Sequence, residues 1–288
     1  MRTARTGIAT AIALLVLGGC ASAEDIAASD DPSGEPSSEP TDEPTDDEEE
    51  TEDPKPSTPA PNVGDCHKLP AGQITNGVVE TTKSPVKCGK PHNTQTFYVT
   101  KTKGPVRKAL ESGDTTTVRN KMSDTCRKKL QSWVGGGKAR MARTGYDVII
   151  GTPPADDVQL GATWARCDVV LFGVGSGPAR LPKSTRNSLK KQTSDADYCV
   201  RGKFDPSGTN VVLCSKPHNF RSVGVVKFGG PSAKYPGKKK VQRTMRQRCF
   251  VQTRKFLGQN RYTGWTYPTK RTWSNGDRFG ECYAKTKK

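Results

Sequence analysis

The sequence predicts an α+β fold built from two tandem disulfide-stapled repeats, each roughly β-β-α-β-β, behind a signal peptide and a disordered acidic tether. Three observations predict it. The cysteines after residue 65 fall four and four: Cys66, Cys88, Cys126 and Cys167, then Cys199, Cys214, Cys249 and Cys282. The landmarks between them recur in the same order. Each stretch also places one run of apolar residues at helical spacing among runs rich in β-branched and aromatic residues.

The recurrence is detailed. Cys88-Gly-Lys-Pro91-His92-Asn93 is echoed by Cys214-Ser-Lys-Pro217-His218-Asn219. Val118, Met122 and Cys126 sit four apart, as do Val241, Met245 and Cys249. Trp133 and Val134 match Phe256 and Leu257 at the same offset, and Pro153, Gly161 and Cys167 match Pro268, Gly276 and Cys282 with identical gaps. The organisation follows: 1–19 signal peptide, 20–62 lipidated Cys and tether, 63–175 first repeat, 176–195 basic linker, 196–288 second repeat.

Each element has a local cause. Thr96 to Thr100 and Arg221 to Phe228 follow the Pro-His turns and read as strands. Thr116 to Val134 carries Val118, Met122, Cys126, Leu130 and Trp133 on one face, and Gly135-Gly136-Gly137 stops the helix. Lys239 to Leu257 is its counterpart, stopped by Gly258. Tyr146 to Ile150 and Trp164 to Phe172 read as strands. Gly175 to Asp195 is polar, basic and without period, so it reads as the linker.

Eight cysteines in an exported chain imply four disulfides. The repeat reduces the possible pairings to three within each half. Pairing neighbours in order is favoured: Cys66–Cys88, Cys126–Cys167, Cys199–Cys214 and Cys249–Cys282. The second and fourth would tie a helix to a strand. Cys88, His92, Cys214 and His218 offer a zinc-type donor set. Their spacing is not that of a finger, and an oxidising compartment favours bridges, so neither metal nor cofactor is expected. In the motif turns Pro91-His92 and Pro217-His218, each ring is expected to donate to a backbone carbonyl.

The first sixty residues say where the chain works. Arg2 and Arg5 precede the apolar stretch Ile8 to Leu17, which is far short of the about 20 residues a membrane span needs. Leu17-Gly18-Gly19-Cys20 resembles a bacterial lipobox, with Cys20 as the lipidated residue. Residues 24–62 hold 15 acidic residues, one basic residue and no aromatic one. Such a segment cannot bury enough apolar surface to fold and stays extended by self-repulsion. The expected location is the extracytoplasmic face of the cell membrane.

That tether masks the charge of the rest. The whole chain carries +17, but residues 63–288 keep 43 basic and 14 acidic residues, a formal +29. Partners should be anionic: a wall polymer, an acidic lipid or an acidic protein. Nucleic acid is a poor expectation outside the cell.

At these residues the chain resembles the septum-formation family of actinobacterial envelope proteins. The family pattern runs from Gly-Asp-Cys, through Cys-x-x-Pro-His before a strand and a Cys-bearing helix, to Trp-x-x-Gly-x-Arg-x-x-x-Cys. Gly64-Asp65-Cys66 and Cys88 to His92 carry the start, and Trp273, Gly276, Arg278 and Cys282 carry the close. The resemblance covers 63–288 in two copies and implies an envelope role in division or wall growth, without a known reaction. The family often has an acidic residue three places after the motif His, where this chain has Gln95 and Arg221. In the first copy, Val158 and Thr163 stand at the closing Trp and Arg positions.

Catalysis requires a positioned nucleophile and base, paired carboxylates or an open metal site. After the tether there are three histidines, and Asp156-Asp157 is the only adjacent acidic pair, in a loop expected to form a turn. A non-enzymatic binding or scaffold role is therefore expected, with polyanion binding unrelated to division as the alternative and an envelope enzyme third. The candidate anion-binding residues are Arg127, Lys128, Arg246, Arg254, Lys255, Lys270, Arg271 and Trp273, where cations lie on helix faces or beside aromatics. Intact mass after thiol blocking tests the bridges. No blocker should add at the eight domain cysteines before reduction, and eight free thiols in the untreated protein would end the stapled reading.

Overall fold

A computed structural model of the chain describes residues 54–82, 84–173, 177–203, 210–230, 232–258 and 263–286. The signal segment, Cys20 and the tether up to residue 53 lie outside the described residues. Glu52–Lys288 forms one unit.

The first half runs β1 (Cys66–His67), α1 (Ala71–Thr75), β2 (Val78–Glu80), β3 (Thr94–Lys101), α2 (Gly104–Glu111), α3 (Thr115–Val134), α4 (Lys138–Met141), β4 (Tyr146–Thr152), α5 (Ala155–Gln159) and β5 (Trp164–Leu171). Its sheet has the order β1-β3-β5-β4-β2. Every pairing is antiparallel except β2 with β4. The second half runs β6 (Tyr198–Val200), β7 (Val211–Leu213), β8 (Phe220–Lys227), α6 (Lys238–Leu257), β9 (Thr263–Thr266), α7 (Lys270–Ser274) and β10 (Phe279–Lys285), with the sheet order β7-β6-β8-β10-β9. Four strands occupy matching places: β1-β3-β5-β4 and β6-β8-β10-β9. The fifth differs. β2 and β7 hold the same place in the chain, yet β2 joins the edge beside β4 and β7 the opposite edge beside β6.

Each half therefore carries three strands before its long helix, where the sequence pattern implied two. Among these β1, β2, β6 and β7 are only two or three residues long, too short for an alternation to register. The Asp156-Asp157 segment, expected as a turn, is the start of the short helix α5.

The long helices form where their apolar residues recur every four positions. In α3, Val118, Met122, Cys126, Leu130 and Val134 are buried, and Asp114 caps the start by accepting from Thr117 N. Gly135 and Gly258 end α3 and α6 at φ 74° and 72°, a backbone shape that glycine adopts at little cost. In α6 the buried stripe is Val241, Met245, Cys249 and Thr253.

Both helices lie on their sheets and are bolted to them. Cys126–Cys167 joins α3 to β5, and Cys249–Cys282 joins α6 to β10, with Cα–Cα distances of 5.6 and 5.0 Å. Cys66–Cys88 and Cys199–Cys214 complete the set, so the four bridges join neighbours in order. Because strands alternate, Ala165, Cys167, Val169 and Leu171 of β5 meet the α3 stripe. Val170 on the other face packs with Leu69, Ile74, Val79 and Ile149. The central strand β5 is thus buried along both faces.

The segment expected as a linker is packed, not loose. Leu181 and Leu189 enter the first core with Ala196 and Leu213. Thr185 N and Oγ1 both donate to Gln95 Oε1, at 2.9 and 2.7 Å, and Trp133 Nε1 donates to Thr185 Oγ1. At the junction of the halves, Asp197 is fully buried. It pairs with Arg140 of the first half and with Arg221 Nη1 of β8 at 3.0 Å. Arg143 Nη1 donates to Val223 O at 2.8 Å, which crosses the same seam. The two departures from the family pattern, Gln95 and Arg221, are therefore the residues that clasp the linker and the junction.

Removing one member of a buried charge set leaves the others uncompensated. Asp197→Ala is expected to lower unfolding stability by about 3–5 kcal/mol, measured by urea denaturation. A loss below about 1 kcal/mol, the scale of an exposed pair, would show that the junction does not depend on this carboxylate.

Candidate functional site

Where the halves meet, a groove of about 630 Å³ opens. One wall is the outer face of α3 with α4, which supplies Arg127, Lys128 and Lys138. The other surfaces come from β4, β6 and β10 through Tyr146, Tyr198 and Phe279. Arg127 and Lys128 follow Cys126 in α3, so the disulfide that buries one side turns these two outward, and both are exposed. Burial raises the pKa of the Tyr146 and Tyr198 hydroxyls, so both stay protonated at neutral pH. Asp124 and Asp147 also line the groove, and Asp147 stands 3.8 Å from Arg127 in a half-exposed pair. Cations at the rim over an aromatic floor suit an anionic, partly apolar chain such as a charged glycan or an acidic peptide.

Of the residues expected to bind anions, the structure brings only Arg127 and Lys128 to this groove. Arg246, Arg254 and Lys255 are exposed on α6, and Lys270 and Arg271 are exposed on α7. The α6 sequence has eight Lys or Arg and no acidic residue. Phe250 and Val251 stand 47% and 63% exposed among those cations.

Trp273 is corrected. It is 5% exposed, its Nε1 donates to Ala233 O at 2.9 Å, and Tyr235 meets its ring edge-on. The Arg278 guanidinium stacks 4.2 Å from the ring centroid. The closing Trp and Arg of the family pattern thus pack against each other, with the Trp273 ring in the interior.

The motif histidines share one geometry. His92 Nδ1 donates to Lys90 O and His218 Nδ1 to Lys216 O, each at 2.8 Å. Sulfurs of Cys199 and Cys214 lie with a His218 ring nitrogen within 4.8 Å of one another, but the two sulfurs are joined in the disulfide.

Sequence reasoning passed over a polar cluster on the face of β5 turned away from α3. Arg166 and Asp168 flank Cys167 and are both 0% exposed. Arg166 Nη1 donates to His67 Nε2 at 2.8 Å, and Arg166 Nη2 lies 3.0 Å from Asp168 Oδ2. Thr96 Oγ1 donates to Asp168 Oδ1 at 2.8 Å. Burial, then the Arg166 charge and His92, lower the His67 pKa to about 3. The residues next to each half-cystine carried the signal, since alternation sets them on the face opposite the sulfur.

The fold and groove define a disulfide-tied α+β protein with a cleft, lined by three cations and two carboxylates, at the seam of two sheets. The family model described as septum formation matches residues 63–282. The chain belongs to the septum formation family, which associates it with division or the cell envelope. No curated protein and no solved structure matches it.

The neutral His67 has a pH consequence. Its folded pKa of about 3 lies below the ordinary 6.5, so the unfolded state binds the extra proton between those values. The stability gained from keeping it neutral is full above pH 6.5 and falls as pH drops towards 3, by up to about 1.4 kcal/mol per pH unit. His67→Gln should flatten that slope in urea titrations across the acid range. An unchanged slope would remove His67 as its source.

Proposed function

We propose that this chain is a membrane-anchored, extracytoplasmic lipoprotein of the cell envelope that binds or scaffolds without catalysing a reaction, in service of septation or wall growth. The observation that carries the reading is the cationic, aromatic-floored groove at the seam, on a domain of +29 formal charge behind a lipobox and an acidic tether. Cys20 takes the lipid, and the tether gives reach of up to about 130 Å.

We further infer that the two halves descend from one duplicated unit. Four strands in matching order, a long helix in the same place and bridges at corresponding cysteines support this. The moved fifth strand is where the copies diverged.

The ligand class that fits the groove and the basic helices is an anionic wall polymer, with an acidic septal membrane protein next. Binding to a polyanion releases counterions, so it weakens steeply with salt. Full-length chain carrying Cys20→Ala, to remove the lipid, should co-sediment with purified envelope at low salt. It should release along a steep salt series and lose the pellet when anionic polymers are stripped. Arg127→Gln with Lys128→Gln should weaken binding about tenfold, on the scale of one charged hydrogen bond. Binding that ignores stripping and salt would turn the search to a protein partner. Polymer binding with normal septa in a strain lacking the protein would favour polyanion binding unrelated to division.

A further inference from the structure

The polar cluster of the first sheet faces a cavity of about 300 Å³, lined by residues 57–62 together with Asp65, His67, Thr81 and Arg166. The tether's last residues form this wall because Asp157, at the start of α5, grips them. Its carboxylate accepts from Ser57 N at 2.7 Å, Ser57 Oγ at 3.0 Å and Thr58 N at 2.9 Å. Those bonds hold the Asp157 pKa below the ordinary value.

Three buried groups beside the cavity have work left to do. His67 Nε2 accepts from Arg166, which puts the imidazole proton on Nδ1. His67 Nδ1, Arg166 Nε and Thr81 Oγ1 have no hydrogen-bond partner among the described residues. His67, Thr81 and Arg166 are 2%, 5% and 0% exposed. An orphaned buried donor costs about 1–3 kcal/mol, so these groups call for a partner. Space for the guanidinium is reserved: Gly151 pairs with Arg166 across the ladder, and a Cβ there would come within 2.4 Å of Nε.

Folding does not demand this arrangement. In the second half, Val200 follows Cys199 as His67 follows Cys66, and Tyr283 follows Cys282 as Asp168 follows Cys167. Val200, Tyr283 and Phe220 form an apolar cluster there. Glu281 precedes Cys282 as Arg166 precedes Cys167, and it accepts from Tyr283 OH. A like sheet is therefore built with neither the imidazole nor the guanidinium, so those two groups are not required to hold it together.

The orphan groups are chiefly donors, so the occupant must bring acceptor oxygens. Arg166 and Asp168 cancel in charge, and the Asp65 carboxylate on the wall repels anions. Pro59, Pro61 and Pro85 add apolar edges. We propose that this cavity is a binding site for a small uncharged ligand rich in carbonyl or hydroxyl oxygens, of the size of a monosaccharide, which enters when residues 57–62 lift from Asp157. The site is independent of the groove and of any polyanion bound there.

The test uses the full chain carrying Cys20→Ala, labelled with 15N, and titrates N-acetylglucosamine and, separately, inorganic phosphate at matched ionic strength. The expected result is a saturable shift of the His67 ring and of the Ser57 and Thr58 amides with the sugar, with His218 still. Thr81→Val should weaken that response about fivefold, the scale of one hydrogen bond. Asp157→Asn should strengthen it severalfold, because the closed strap no longer competes; this position lies outside the polar cluster and keeps the test decisive if Thr81→Val fails to fold. A silent His67 would mean that the cavity holds only water and would overturn the proposal. So would a response to phosphate in place of the sugar, or one that both variants leave unchanged.

Discussion

A sulfur bridge between a helix and the inner strand beneath it governs each half. Cys126 and Cys249 sit in the middle of their buried stripes, and Cys167 and Cys282 sit on strands flanked by neighbours on both sides. Once that bond forms, the helix can neither slide nor roll, and the ladder on either side inherits its position. The constraint matters because residues 63–288 repel themselves strongly and each core is small. Each bridge contributes about 2–4 kcal/mol by limiting the unfolded chain. The same bond fixes the outer face, since whatever follows Cys126 on the helix must point away from the sheet. Groove cations and buried sulfur are two sides of one turn of helix.

The second constraint is the seam. Asp197 gathers Arg140 and Arg221 from different halves, and Gln95 gathers Thr185 from the connecting segment. Gln95 and Arg221 stand where the resemblance implies an acidic residue, and here both side chains bind the protein to itself.

Much of this architecture was legible in the sequence, for physical reasons. A 20-residue helix repeats its pattern five times and ends at a glycine, so α3 and α6 stand out. Core strands such as β5 are long enough to show their β-branched character. The short strands β1, β2, β6 and β7 exist only because a longer neighbour offers them hydrogen bonds, and nothing local specifies them. Trp273 misled for a related reason. Its neighbours Lys270 and Arg271 are exposed, while the residues that bury it, Tyr235 and Ala233, lie far off in the chain. The His67, Arg166 and Asp168 cluster left no local mark, because His67 lies 99 residues from Arg166 and only the sheet brings them together. Residues 57–82 cover the sheet face turned away from α3, and its polar side chains are interior.

The packed connecting segment has one more consequence. Leu181, Leu189 and Thr185 anchor the described part of that segment in the first half, and Asp197 pairs with residues of both halves. These contacts hold the two basic helices at a set interval. For the polymer ligand proposed above, that interval would act as a ruler. A repeat that matched it would engage both helices and gain avidity, up to about 10²–10⁴ over one contact. A repeat of another length would engage one helix and gain nothing, a form of selectivity that charge alone does not provide.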